Sequence, residues 1–352
     1  MSIKGYKAFN RGMICKGKQY EENTTYEENG NKICGAGVMH FCENPFDVLD
    51  YYPLIDEDGN ISDFADVEAI GDIYKGKDKT ATNKLHIGAK LGFKGFIKAC
   101  VDFTIEKTKV ETVKADDVGI SSGYYAKIGS SGYYAKIGSS GDYAQIGSSG
   151  YYAKIGSSGD SAKIGSSGDY AQIGSSGDYA QIGSSGYYAK IGSSGDYAQI
   201  VSSGDSAKIG SSGDYAQIGS SGDCAQIGSS GYSAKIGSSG DYAKIGSSGD
   251  SAKIGSSGDY AQIGSSGDSA KITSEGNNSV VMAAGCNSIA KAKIGSWITL
   301  AEWIRTDKAN DSGNYIWIPK CVKTEYVDGE RIKEDIFYKL VDGEFKEVES
   351  ED

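Results

Sequence analysis

The sequence predicts a mainly β protein: a nonapeptide-repeat β-solenoid with two sheets and about 18 residues per coil, flanked by a small α+β N-terminal domain and a β-rich C-terminal cap. Three observations carry this. From Ser121 to Thr273 one nine-residue unit, Ser-Ser-Gly-(Asp/Tyr)-(Tyr/Ser/Cys)-Ala-(Lys/Gln)-Ile-Gly, recurs 17 times without insertion or deletion. So exact a period means that each unit meets its neighbours in the same way. Ala-x-Ile is unvarying, which argues for order where Gly/Ser composition alone would suggest a linker. Finally, one Ala and one Ile per unit make a thin interior, which two strands per coil fill better than a triangular coil of three.

Within the unit, Asp-Tyr-Ala-Gln-Ile reads as the strand, with Ala and Ile facing inward and the Tyr/Ser/Cys and Lys/Gln places facing outward. Gly-Ser-Ser-Gly reads as the turn, its glycines supplying positive φ. One buried Ile contributes about 1.5–3 kcal/mol, whereas ordering nine residues costs about 9–18 kcal/mol. Only stacking can stabilise such units, and at about 4.8 Å per coil the rod is about 40 Å long. The units Ser274–Met282 and Ala283–Lys291 keep the period but lose the consensus, as capping repeats do.

The chain has 352 residues and divides by composition into a domain at 1–110, a connector at 111–120, the rod at 121–273, the degenerate repeats at 274–291 and a cap at 292–352 with an acidic tail. In the first part, Ile3 to Phe9, Tyr20 to Glu28, Cys34 to Cys42, Ala65 to Ile70 and Lys84 to Gly88 read as strands. Asn44-Pro45 opens a short helix ending near Pro53, and Leu91 to Val101 reads as a helix leading into Phe103-Thr-Ile-Glu. In the last part, Tyr315–Ile318, Lys320–Tyr326, Ile332–Leu340 and Phe345–Val348 read as strands, the latter pairs joined by Asp-Gly turns at Asp328 and Asp342.

A formal charge of −11 makes non-specific nucleic-acid or anionic-membrane binding unexpected, and leaves solubility or DNA mimicry as its meaning. No apolar run marks a secretory signal or a membrane span, and seven cysteines without a CxxC pair fit free thiols in a cytoplasm. Two histidines exclude mechanisms that need three. The spacings of Cys15, Cys34, His40, Cys42 and Cys100 match no zinc pattern, and Tyr replaces Asp in five copies of the unit, against a calcium repeat. Neither a metal nor a cofactor is expected.

The segments Lys7-Ala-Phe9, Gln19-Tyr20, Val38-Met-His-Phe-Cys-Glu-Asn-Pro-Phe-Asp-Val-Leu-Asp-Tyr-Tyr-Pro53, Val67-Glu68 and Lys79 to Leu91 resemble an uncharacterised domain of phage and bacterial proteins that precedes Ser-Ser-Gly-Asp-Tyr-Ala nonapeptides. Gly295 to Trp303 and Lys320 to Lys333 resemble the usual ending of such proteins. This resemblance implies no assigned activity. Gly35-Ala-Gly37, Val-Met-His-Phe and Tyr51-Tyr52 are similar to the strand and helix around the nicotinamide site of ADP-ribosyltransferases, which implies a ligand site at His40, Tyr52 and Glu68. The matching arginine or histidine is not found, and Glu68 is the one candidate for the glutamate.

Under an 18-residue coil Tyr134, Tyr152, Tyr170 and Tyr188 form one ladder on a sheet, and Tyr125 and Tyr143 begin another opposite. Such rows mark a contact surface or stiffen the rod. Units with Tyr in the fourth place carry Lys in the seventh, which fits either a Lys stem packed on a ring or duplication of a few unit types. The function expected is therefore non-enzymatic binding of a protein partner along the rod, in host takeover or counter-defence. An ADP-ribosyltransferase-like or nucleotide-binding N-terminal domain, a DNA-mimic inhibitor and a structural spacer or adhesin are the alternatives.

Overall fold

The structure, a computed structural model, describes residues 2–30, 37–57, 60–76, 78–108, 118–309 and 315–349. The N-terminal domain contains β1 (Ile3–Phe9), β2 (Ile14–Cys15), β3 (Lys18–Gln19), β4 (Thr24–Glu27), β5 (Met39–Phe41), β6 (Asp63–Ala69), β7 (Ile73–Lys75), β8 (Thr80–Thr82), β9 (Lys84–Lys90) and α1 (Phe93–Thr108). A four-stranded sheet in the order β1-β6-β9-β4 faces a three-stranded one in the order β5-β8-β7, and β2 with β3 makes a hairpin at the side. The strand expected at Cys34–Cys42 is present as β5, and its first residues lie outside the described ones. Asn44 accepts from the Phe46 amide at 3.2 Å and caps a 3-10 turn over Pro45–Asp50. Helix α1 runs past the expected end at Val101. Phe93, Phe96, Ile97, Cys100, Val101 and Thr104 are buried at three- and four-residue spacing, and this stripe outweighs the strand-like alternation of Phe103-Thr-Ile.

In the rod, β10 is Val118–Ser121, and from β11 (Lys127–Ser130) to β28 (Val280–Ala283) a four-residue strand starts every nine residues, followed by β29 (Ile289–Lys291). Even-numbered strands form one parallel sheet and odd-numbered strands the other, and partners lie 18 residues apart, as Ile146 with Ile164. The two-sheet solenoid is therefore as the period predicts.

Its phase within the unit is not. The strand is (Lys/Gln)-Ile-Gly-Ser, and the bend runs through Gly-(Asp/Tyr)-(Tyr/Ser/Cys), where the sequence suggested a strand. Positive φ falls on the fifth residue of the unit, non-glycine, between 52° and 57° in every copy from Tyr143 to Ser269. The third-place glycine serves close approach instead: a Cβ on Gly204 would lie 2.0 Å from the carbonyl oxygen of Gly186 in the preceding coil. Bends are thus hydrogen-bonded from coil to coil. The Tyr197 amide donates to the Asp214 carbonyl at 2.8 Å, and the Asp214 amide donates to the Asp196 carboxylate at 2.8 Å. That second bond explains why the fourth place favours Asp. Ala and Ile are buried between the sheets as expected, and the first-place serine joins them.

At its far end the rod is closed by two hairpins. Strand β30 (Trp297–Ala309) continues the even sheet in parallel with β28, then pairs antiparallel with β31 (Tyr315–Tyr326). The two strands expected at Tyr315–Ile318 and Lys320–Tyr326 are this single one, with Pro319 beside a register shift that tolerates its missing N–H. On the odd sheet β32 (Phe337–Val341) pairs antiparallel with β29 and turns through Asp342 and Gly343 into β33 (Glu344–Val348). The strand expected from Ile332 starts only at Phe337, because Asp328 accepts from the amides of Glu330, Arg331 and Ile332 and folds that segment into a loop.

Three neighbouring places in one coil respond differently to substitution. Gly204→Ala costs more than about 3 kcal/mol, since the coils must part. Ser202→Ala, which removes a buried hydroxyl lacking a partner among the described residues, is neutral or stabilising by up to about 1 kcal/mol. Ser206→Asn, at a φ of 56° that Asn tolerates better, gains about 0.5–1 kcal/mol. Denaturation of the three variants measures each effect.

Candidate functional site

The two outer faces of the rod share one chemistry, a column of seventh-place Lys or Gln beside a column of ninth-place Gly, yet their surroundings differ. On the odd sheet the N-terminal domain covers it. Val201, in place of the usual glycine, is buried among Leu54, Ile55, Phe93, Ile97 and Val101. Neighbouring glycines leave room for the domain: a Cβ on Gly219 would lie 2.9 Å from Ile97 Cδ1, and one on Gly183 3.3 Å from Val101 Cα.

The seventh place reads the docked domain residue by residue. Gln199 donates to Asp50 at 3.1 Å, and Gln217 accepts from the Leu54 amide at 3.1 Å. Further along, Lys235 and Lys253 pair with the Glu57 carboxylate and Lys271 donates to the Glu57 carbonyl at 2.7 Å. On the even sheet the same columns are bare. Gly156, Gly174, Gly192, Gly210 and Gly228 would meet nothing within 4 Å, and Lys136, Lys154, Lys190, Lys208 and Lys244 are exposed.

The predicted tyrosines do stack, at the bends rather than on a sheet, because the fifth place is the bend. Tyr134, Tyr152, Tyr170 and Tyr188 follow one edge with ring centroids 5.5, 5.0 and 5.2 Å apart and near-parallel planes. Tyr125 and Tyr143 stack at 5.1 Å on the other edge, where Tyr179, Tyr197 and Tyr215 form a second run. Among the described residues no rod lysine ammonium lies over a rod tyrosine ring; the two rod lysines found over a ring, Lys271 and Lys291, sit on Phe337.

In the N-terminal domain a pocket forms between β1, the β2–β3 hairpin, β5 and the segment after Asp50. His40 and Tyr52 line it, with Lys7, Cys15, Tyr20, Phe41 and Lys79. The Tyr52 hydroxyl lies 3.2 Å from Cys15 Sγ, and burial pushes its pKa up to about 12. Glu68 is elsewhere. Its neighbours on β6, Val67 and Ala69, join the core cluster of Phe9 and Tyr20, so strand alternation turns Glu68 to the opposite face, next to Lys4 and His86 in register. The Gly35-Ala36 segment lies outside the described residues. Sequence reasoning missed Lys7, though a lone lysine in the apolar register of Ile3, Lys7 and Phe9 was the available signal. The open lysine column was equally visible as an 18-residue series.

Residues 3–99 match a family described as a domain of unknown function (DUF7666). No curated protein and no solved structure matches the chain. No helix among the described residues is long and apolar enough to cross a membrane.

Docking of the N-terminal domain is sensitive to pH. Burial raises the Asp47 pKa to about 6, against an opposing pull from Lys163 and a hydrogen bond from Gln181. A carboxyl with a folded pKa above its unfolded one destabilises the fold above that pKa and ceases to do so as pH falls through the window, here from about 6 to about 4. Asp47→Asn therefore raises stability at pH 7 by about 1–2 kcal/mol and flattens the profile between pH 4 and 6, read by denaturation across pH.

Proposed function

We propose that this is a non-enzymatic binding protein whose rigid rod presents the even sheet to a protein partner. The observation that carries the reading is the contrast between the faces. The odd sheet shows what a Gly and Lys/Gln surface accepts: apolar side chains of a helix over the glycine column, with carboxylates and carbonyls meeting the seventh-place side chains. The even sheet offers the same surface unoccupied, with five lysines and no acidic group among its seventh- and ninth-place side chains. A partner suited to it presents an apolar ridge flanked by acidic groups. The tyrosine columns border this face and extend it with rigid aromatic edges. Resemblance of the chain's motifs to phage and bacterial proteins supports a role in host takeover or counter-defence within the host cytosol.

The test is capture from host lysate by the full chain and by a Lys190→Glu, Lys208→Glu double variant, with identification of what is held. An acidic partner kept by the former and reduced at least ten-fold in the latter is expected. Equal capture by both chains contradicts a role for the even sheet.

A further inference from the structure

The pocket of the N-terminal domain takes no part in the rod's binding face and has its own chemistry. Its volume of about 480 Å³ lies in the range of small-molecule sites. Four lysines line it, Lys7, Lys16, Lys18 and Lys79, against one carboxylate, Glu28, in a chain of formal charge −11. Glu28 is taken by Lys18 at 2.5 Å, and among the described residues the other three lysines have no carboxylate partner.

Lys7 is the decisive residue. It is 6% exposed, and its ammonium donates to the His40 carbonyl at 2.9 Å, with the rings of Phe9 and Tyr20 at 5.5 and 5.6 Å. One carbonyl dipole, the Cys15 side chain and two ring faces offset only part of the cost of burying a cation, and an anion is the partner that completes it. Burial holds this amine below the ordinary lysine range, against a smaller opposing pull from Cys15. The walls are aromatic: Tyr20, Phe41, Tyr51 and Tyr52. At the rim Tyr51 is held from two sides, its hydroxyl donating to Asp78 at 2.8 Å and the Lys79 ammonium lying 4.8 Å from its ring centre.

We infer that this pocket binds a small phosphorylated ligand with a planar ring, of the nucleoside monophosphate class, its phosphate paired with Lys7 and its ring against the tyrosines. Phosphate supplies the buried cation with its missing charge. A planar ring uses the flat walls that phosphate alone would leave wet.

Calorimetric titration of the full chain with AMP, GMP, CMP and UMP, and with adenosine and inorganic phosphate, tests this. Expected is saturable binding of at least one nucleotide at a single site, with adenosine and phosphate each at least ten-fold weaker. Lys7→Met, which keeps the stem and removes the charge, weakens binding at least ten-fold while the circular dichroism spectrum stays unchanged. Lys79→Ala, half-buried at the rim and outside the domain core, weakens it several-fold, and an unchanged circular dichroism spectrum guards against misfolding in either variant. Absence of saturable binding for all four nucleotides, or unaltered affinity in both variants, overturns the inference. Phosphate binding as tightly as the nucleotides overturns its ring component. Partner capture by the even sheet is unaffected by Lys7→Met, so the two readings fail separately.

Discussion

How closely successive coils approach at the third-place glycine governs the rest of this structure. There the carbonyl of one coil occupies the space that any side chain on the next would need, so the coils close to β-sheet spacing along the bends as well as along the strands. Once the bends are that near, their amides find partners in the neighbouring coil, the fourth-place Asp gains a role as acceptor, and fifth-place rings stack at about 5 Å. Strain at positive φ in the fifth place is held because the neighbours from Tyr143 onward repeat it. Strand, bend, aspartate column and tyrosine column are consequences of one spacing.

That regularity makes a uniform rod, and function requires that the uniformity be broken. Breaks occur where the N-terminal domain docks: Val201 for Gly, and three glutamines followed by three lysines in the seventh place. The domain thus consumes one face of the rod and leaves the other, of equal chemistry, turned to solvent. At the far end the two hairpins extend both sheets, so that the last edges are β31, with Pro319 and three charged residues, and the short β33, in place of a regular repeat strand.

The period alone gave the two sheets, the 18-residue coil and the buried Ala and Ile, because each follows from exact repetition. It did not give the phase. Asp-Tyr-Ala-Gln-Ile has the alternation and the β-favouring tyrosine of a strand, and only the contact between glycines of successive coils, invisible in a single unit, moves the bend onto those residues. The tyrosine ladders were legible as columns but not as edges for the same reason. Of the expected N-terminal site, His40 and Tyr52 meet in one pocket, while Glu68 is turned away by a one-residue matter of strand parity. The covered and open faces could not be told apart from sequence, since docking is a tertiary event that leaves a trace only in Val201 and in the order of Gln and Lys.

The account rests on α1 lying over the glycine column of the odd sheet and leaving the even sheet free. Cysteines at Val101→Cys and Gly183→Cys, whose backbones approach to within a Cβ-to-Cα distance of 3.3 Å, test that placement directly by oxidation and peptide mapping. A high-yield disulfide in this pair, and none between Val101→Cys and Gly192→Cys on the even sheet, is the predicted result. Linkage to Gly192→Cys, or to neither position, would contradict the arrangement on which the open face depends.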